Sequence, residues 1–297
     1  MVTVLITGGT GLVGQFLYQK LASKGYDVRV LTRNPTKKNE FSWNISNNYI
    51  DTRALENVDY IIHLAGAGIA DKRWSAKRKE ELINSRTTST ELLFTKIKEL
   101  KIPLRGFISA SAIGYYGAIT SDRIFTETDA PATDFLGKVC KLWEASVLKF
   151  NSLKIPTTIL RTGIVLSKKG GAFNKMNTPI AIIPIANGKQ YLPWIHIEDL
   201  TNLYLKAIED STFIGIYNAV APDEQTNFSF SKLVASKTNK LFISIGIPKF
   251  ILQFLFGEMS IILTTGSRIS SKKIEKFGYT FSYKNLNQAL DDVIQKS

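Results

Sequence analysis

The chain has 297 residues, 44% hydrophobic and 21% charged, the composition of a soluble globular protein with one large domain or two unequal ones. A single cysteine, Cys140, excludes an intramolecular disulfide, and with only two histidines to join it no zinc cluster is expected. The net charge of +13 is spread along the chain apart from KRWSAKRK at 72–79; with no zinc-finger spacing and no aromatic RNA-binding pattern, it argues for a basic surface rather than a nucleic-acid partner.

In chain order, TVLIT (3–7) reads as a strand and GQFLYQKLASKG (14–25) as a helix closed by Gly25. DVRVLTR (27–33) and VDYIIHLAG (58–66) are further strands, ELLFTKIKEL (91–100) is a helix, and RGFISAS (105–111) is a strand. FLGKVCKLWE (135–144) is helical, because Phe135, Val139 and Leu142 share one face; TTILRTG (157–163) returns to strand. Near-continuous apolar strands alternating with helices predict an α/β fold, a doubly wound parallel sheet covered on both faces. After Gly163 the rhythm breaks into a long glycine- and proline-punctuated segment (166–194), followed by a strand end and helix at 195–210. We therefore expect a nucleotide-binding domain at 1–165, with 191–215 returning to it, and a smaller C-terminal substrate domain from 166–190 and 216–297. IPKFILQFLFGEMSIIL (247–263) is interrupted by Pro248, Lys249 and Glu258, falls short of a bilayer span and is expected to be a buried helix. Apolar residues 4–6 lead straight into a glycine loop without a basic leader, so a cytoplasmic protein with no membrane partner is expected.

LITGGTGLVG carries the clearest chemistry. Gly8, Gly11 and Gly14 are spaced G-x-x-G-x-x-G between a strand and a helix. Gly8 permits the tight turn, Gly11 lets the backbone approach a diphosphate, and Gly14 lets helix and sheet pack closely. With Thr10, Leu12 and Val13 they form a loop whose N–H groups and helix dipole favour phosphate. The second strand ends in Thr32 and Arg33 where an Asp or Glu would select NAD; a guanidinium there suits a 2′-phosphate, so NADP is expected over NAD.

Several blocks together resemble the extended short-chain dehydrogenase/reductase superfamily, in its atypical branch called nucleoside-diphosphate-sugar epimerase-like. They are ITGGTGLVG, HLAGAGIADKRWSAKRKEELINSR, SASAIGYYG, LRTGIVLSKKGGAF, LPWIHIEDL, YNAVAPDEQTN and the late FGEMSIILTTGSRISSKKIEKFGYTFSYKNLNQAL. The resemblance implies a Rossmann domain with a family-specific C-terminal module. It places Leu64, Ala65 and Gly66 along the adenine–ribose side of the cleft, Glu81 and Arg86 near the cofactor, and Val165 beside the nicotinamide. Lys72, Arg73, Lys77, Arg78 and Lys79 then read as a solvated face, Asp199 as a residue that caps or orients backbone, and His196 as structural.

The superfamily's catalysis uses a serine and a Tyr-x-x-x-Lys pair, in which lysine lowers the tyrosine pKa and tyrosine exchanges a proton with the substrate oxygen. Of Ser109 and Ser111, the second fits the serine position. Aligned on Glu144, the tyrosine and lysine positions hold Phe135 and Val139, neither of which exchanges a proton; Lys138 is about 100° away around a helix. Tyr115 or Tyr116, just after the serine strand, could take over with Ser111. The expected protein is an NADP(H)-dependent oxidoreductase or epimerase-like enzyme acting on a small, sugar-nucleotide-like carbonyl or alcohol substrate, as monomer or homodimer. The alternative is a non-catalytic NADP(H)-binding sensor or scaffold.

Overall fold

The computed structural model describes residues 1–294, apart from the side chains of Ala172 and Lys175. The chain opens with β1 (Thr3–Thr7), α1 (Leu12–Ser23) and β2 (Asp27–Thr32), then an edge pair, β3 (Glu40–Asn44) and β4 (Tyr49–Ile50). β5 (Tyr60–His63), α2 (Ala76–Leu100), β6 (Gly106–Ala112), β7 (Thr120–Phe125), α3 (Phe135–Leu148) and β8 (Thr157–Thr162) complete the first half. Next come β9 (Ile164–Leu166), α4 (Ala172–Met176), β10 (Ala181–Ile182), β11 (Trp194–His196), α5 (Ile197–Glu209) and β12 (Gly215–Ala219). The chain continues through α6 (Asn227–Lys237), β13 (Leu241–Phe242), α7 (Lys249–Phe256), α8 (Ile261–Thr264), β14 (Gly266–Ile269), α9 (Lys272–Lys276) and α10 (Leu286–Ile294).

Eight strands form one sheet in the order β12-β8-β6-β5-β1-β2-β3-β4, parallel except for β4 against β3. Strand order reverses between β1 and β5, where a doubly wound sheet opens a crevice at its carboxyl edge. The apolar runs are explained by cover on both sides. Val4 and Ile6 pack with Leu17 and Leu21 of α1 and Leu203 of α5, whereas Leu5 faces the other way onto Leu93 of α2 and Val147 of α3. Burying each such side chain contributes about 1.5–3 kcal/mol, and two opposed layers make the register hard to slip.

A third apolar cluster holds the C-terminal module, with Phe230 and Val234 of α6 against Leu286, Leu290 and Val293 of α10. Two devices tie it to the first domain. β14 pairs in parallel with β7, and the fully buried Asp199 accepts hydrogen bonds from Tyr279 Oη (2.8 Å), Ser282 N (2.8 Å) and Tyr283 N (2.9 Å). Asp199 thus orients backbone, as the sequence suggested.

Some expectations change. α2 starts fifteen residues before the expected helix, because Ser75 caps it by accepting from Arg78 N (3.1 Å). β12 is an edge strand of the large sheet, so residues 216–219 lie with the first domain rather than with the smaller one. The stretch 247–263 is not one buried helix. It breaks at Gly257, and α7 buries Leu252 while Phe250 and Phe254 stand 70% and 81% exposed. Nor are the basic residues at 72–79 all a solvated face: Arg78 is buried, Arg73 donates to the Phe254 carbonyl (3.4 Å), and Lys79 pairs with Glu258 (2.6 Å). No helix among the described residues is long and apolar enough to cross a membrane.

Candidate functional site

The glycine loop lies at the carboxyl end of β1, beside the point where strand order reverses. Gly8 has φ +69°, and a Cβ there would sit 2.9 Å from the Leu64 carbonyl carbon. A Cβ on Gly14 would sit 2.5 Å from the Gly8 oxygen, so α1 docks onto the loop only with glycine at that position. α1 has no side-chain cap and no acidic residue in its first turn. Its free N–H groups and dipole therefore present an uncompensated anion site, and the loop fits a dinucleotide diphosphate.

The cleft beyond this loop has a volume of about 260 Å³ and is bounded by Gly8, Gly11, Leu12, Val13, Leu64 and Ser111, together with Thr162, Leu200 and Tyr204. Leu64 and Ala65 are held by their amides, each 3.2 Å from Thr7 Oγ1. A second hollow, about 360 Å³, lies between Gly9, Thr10 and Gln15 on one side and Lys37 and Asn39 on the other. Thr32 ends β2 and Arg33, just after it, is exposed; neither borders the hollow, whose outer side is made by Lys37 and Asn39. Glu40 also borders it, but its carboxylate is held low in pKa by donors from Thr36 N (2.7 Å), Thr36 Oγ1 and Lys37 N. Val165 sits outside the cleft's border; it pairs with Ile195 and packs on the core. Glu81 also lies elsewhere, exposed and paired with Arg78 Nη1 at 2.7 Å.

Ser111, at the end of β6, is buried and donates to Glu144 Oε1 at 2.7 Å. Glu144 in turn receives both arms of Arg161, Nε to Oε1 and Nη2 to Oε2, each at 2.8 Å. Arg161 is clamped between the two tyrosines, with Cζ 3.3 Å from the Tyr115 ring centroid and Nη1 donating to Tyr116 Oη (2.9 Å). Tyr116 Oη donates to Asn218 Oδ1 (2.6 Å). Burial pushes the Tyr116 phenol above its usual range, and its hydroxyl is engaged on both sides. Tyr115 does not border either cavity. The expectation that one of the twin tyrosines replaces the missing proton donor therefore meets a different geometry, in which both rings hold Arg161. The network also explains Glu144: it is a partner for Ser111 and Arg161, and the sequence left Arg161 and Asn218 unmarked.

The Phe135 ring lies against Trp74 (4.8 Å, edge-on), Lys138 is exposed, and Val139 borders a third cavity. That cavity, about 230 Å³, adjoins the cofactor cleft at Thr162 and separates the sheet domain from β14 and α8 of the C-terminal module. Its wall is aliphatic and aromatic, with Leu136, Val139, Trp143, Ile164, Ile262 and Ile269; Arg86 is its one charged residue among the described ones. Gly66 faces the Arg86 side chain, at 3.2 Å from a Cβ built on the glycine. Arg86 thus belongs with this cavity rather than with the glycine loop. Cys140 also borders it, its thiol pushed up to about 12 by burial.

Both histidines are structural. His63 bonds to Thr7 Oγ1 (2.8 Å) inside the sheet, and His196 caps α5 and faces Asp292 (3.2 Å) and the Tyr283 ring. Thr162 is the residue sequence reasoning missed at the junction of the two cavities. The strand register could have found it: Ala112 pairs with Thr162, one step beyond Ser111 opposite Arg161.

Comparison with known proteins follows the same division. The NAD dependent epimerase/dehydratase family is matched by residues 4–219, and a domain of unknown function, DUF1731, by residues 247–293. The chain is 32% identical over 292 residues to the epimerase family protein ML0860 of Mycobacterium leprae, covering 97% of this chain and 94% of that protein. The crystal structure of human epimerase family protein SDR39U1 with NADPH is similar with a TM-score of 0.87 and 26% identity, all of both chains being covered. A nucleoside-diphosphate sugar epimerase from Corynebacterium glutamicum is similar with a TM-score of 0.81 and 28% identity, over 99% of this chain and 58% of that one.

Proposed function

Because the chain belongs to the NAD dependent epimerase/dehydratase family, we propose that it binds NADP(H) and interconverts a small carbonyl compound and its alcohol. One observation carries this reading: the cleft at the glycine loop adjoins, at Thr162, a separate cavity of a size to hold a small molecule. Gly8, Gly11 and the start of α1 would hold the diphosphate, and Arg33 with Lys37 would take the 2′-phosphate. The human relative's structure contains NADPH, which supports the phosphorylated cofactor. When bound, the nicotinamide supplies or accepts the hydride.

The chain's own work is orientation and charge. Ser111 Oγ donates a hydrogen bond to Glu144 Oε1 and keeps lone pairs free, so it accepts from a substrate hydroxyl and aligns the alcohol form; the hydroxyl proton released on oxidation would pass through Ser111 to the Glu144 carboxylate and return by the same path on reduction. Arg161 fixes the Glu144 carboxyl group through two hydrogen bonds, which sets the Ser111 rotamer. Tyr115 packs on Arg161 away from the cavity, whereas Tyr116 lines the cavity with its hydroxyl held between Arg161 and Asn218.

Calorimetry with NADPH and NADH tests the first half of the reading, and consumption of NADPH with a panel of ketones, aldehydes and oxo acids tests the second. Ser111→Ala should leave nucleotide affinity unchanged and lower turnover by about a hundredfold. Absence of binding heat with either nucleotide overturns the reading.

A second reading, a non-catalytic NADP(H) sensor, is favoured by Val139 in the cavity wall where a lysine would stand and by the engaged Tyr116 hydroxyl. Turnover with any substrate excludes it.

A further inference from the structure

The cavity beside the cofactor cleft says what kind of molecule it takes. Its hydroxyls are already donors to the protein itself. Thr162 Oγ1 donates to Leu160 O (3.2 Å), Thr265 Oγ1 to Ile261 O (2.7 Å) and Ser267 Oγ to Ile119 O (2.8 Å). Tyr191 Oη donates to Asp122 (2.7 Å) and Tyr116 Oη to Asn218. The Cys140 thiol stays neutral.

Two N–H groups in the wall are different. Arg86 Nε and Trp143 Nε1 are buried and have no hydrogen-bond partner among the described residues. The two side chains stack, with the guanidinium 5.0 Å from the indole centroid. Arg86 Nη1 donates to the Leu82 carbonyl (2.9 Å), and among the described residues no carboxylate lies within salt-bridge distance of it. Burial lowers the Arg86 pKa, which marks a cation short of compensation. A buried donor without an acceptor costs about 1–3 kcal/mol, more when charged. An anionic acceptor that reaches these donors from the cavity would offset that cost.

The rest of the wall is aliphatic and aromatic, and the volume of about 230 Å³ lies below the ~300–1,000 Å³ usual for drug-sized ligands. A nucleotide sugar brings a diphosphate, a base and several hydroxyls, and would need more cations and more free donors than this wall provides.

We propose that the substrate is a compact, mostly apolar oxo acid or hydroxy acid, its carboxylate held by Arg86 and Trp143 and its hydrocarbon part packed on Leu136, Val139, Ile164 and Ile262. The proposal rests on the hydride-transfer reading and replaces the sugar-nucleotide-like substrate expected from sequence.

The test is calorimetry on full-length protein saturated with NADP⁺, where no hydride is available to ketones. The probes are 2-oxooctanoate, 2-octanone and uridine diphosphate glucose. The oxo acid should bind at least about tenfold more tightly than the ketone, and the nucleotide sugar should show no saturable heat. Arg86→Leu should abolish the preference for the oxo acid and Arg86→Lys should keep part of it; circular-dichroism melting checks that each variant is folded. Trp143→Phe, which keeps a ring and deletes the N–H, should weaken the oxo acid severalfold and leave the ketone unchanged. Saturable binding of the nucleotide sugar with a silent oxo acid, a preference that survives Arg86→Leu, or no response to Trp143→Phe overturns the proposal. Failure of the hydride-transfer reading looks different: the oxo acid binds with its Arg86-dependent preference, yet no oxo or hydroxy acid changes the redox state of the nucleotide.

Discussion

Arg161 and Glu144 form a two-point ion pair in the interior, Nε to Oε1 and Nη2 to Oε2, with side chains 1% and 5% exposed. One comes from β8 and the other from α3, so the pair pins a helix to the sheet at the edge of the cleft. Ser111 hangs on the same carboxylate.

Removing one member leaves a buried charge without its partner. Glu144→Ala should destabilise the fold by about 3–5 kcal/mol, read by urea denaturation. The double variant Glu144→Leu with Arg161→Met should recover most of that loss, because neither charge remains to be solvated. A Glu144→Ala protein as stable as wild type would contradict the interior placement.

Gly14→Ala tests the cradle. The added methyl would lie 2.5 Å from Gly8 O and 2.6 Å from Gly9 Cα, so α1 must move off the loop. The expected cost is about 1–3 kcal/mol of stability, together with loss of NADPH binding heat. Gly25→Ala is the control for binding alone: no neighbour lies within 4 Å, but φ +83° strains an alanine, so it should cost stability and leave nucleotide binding intact.

Arg33→Ala should weaken NADPH about tenfold or more, the size of one lost charge-assisted hydrogen bond, and leave NADH affinity unchanged. Adding Lys37→Ala should bring the two nucleotides to similar affinity. Equal losses for NADPH and NADH would remove these residues from the 2′-phosphate and leave cofactor choice to other groups around the hollow.

Acid stability should report His63. Burial inside the sheet lowers its pKa from 6.5 to about 3. Across that window the unfolded chain binds a proton that the folded chain refuses, so stability falls as pH drops, by about 1.4 kcal/mol per pH unit. Folding free energies measured at about pH 7 and about pH 5 should show a wild-type loss roughly 2 kcal/mol larger than that of His63→Asn. Equal losses in the two proteins would mean that His63 is protonated in the fold.

How much was legible in the chain divides by distance along it. Glycine spacing, strand alternation and the Arg33 position act within a few residues of one another, and each carries its own steric or electrostatic reason. The start of α2 was less visible, because Ser75 stands inside a run of charges that masks the apolar period. The failed expectation for 247–263 has a similar cause. Apolar content marks a segment as a candidate for burial, but whether another surface covers it is a property of the assembled fold, and Phe250 and Phe254 have none.

The order of residues alone thus determined the parallel sheet, the phosphate loop and the absence of a tyrosine and lysine four apart on α3, since these follow from local backbone geometry and residue type. Only the tertiary structure decided what Ser111, Tyr115, Tyr116, Arg86 and Arg161 touch. Their partners lie on other strands and helices: Glu144 is 33 residues from Ser111, and Asn218 is 102 from Tyr116. Folding turns a candidate proton donor into a bracket for an arginine, and leaves a different arginine, Arg86, in an apolar wall with no carboxylate partner among the described residues.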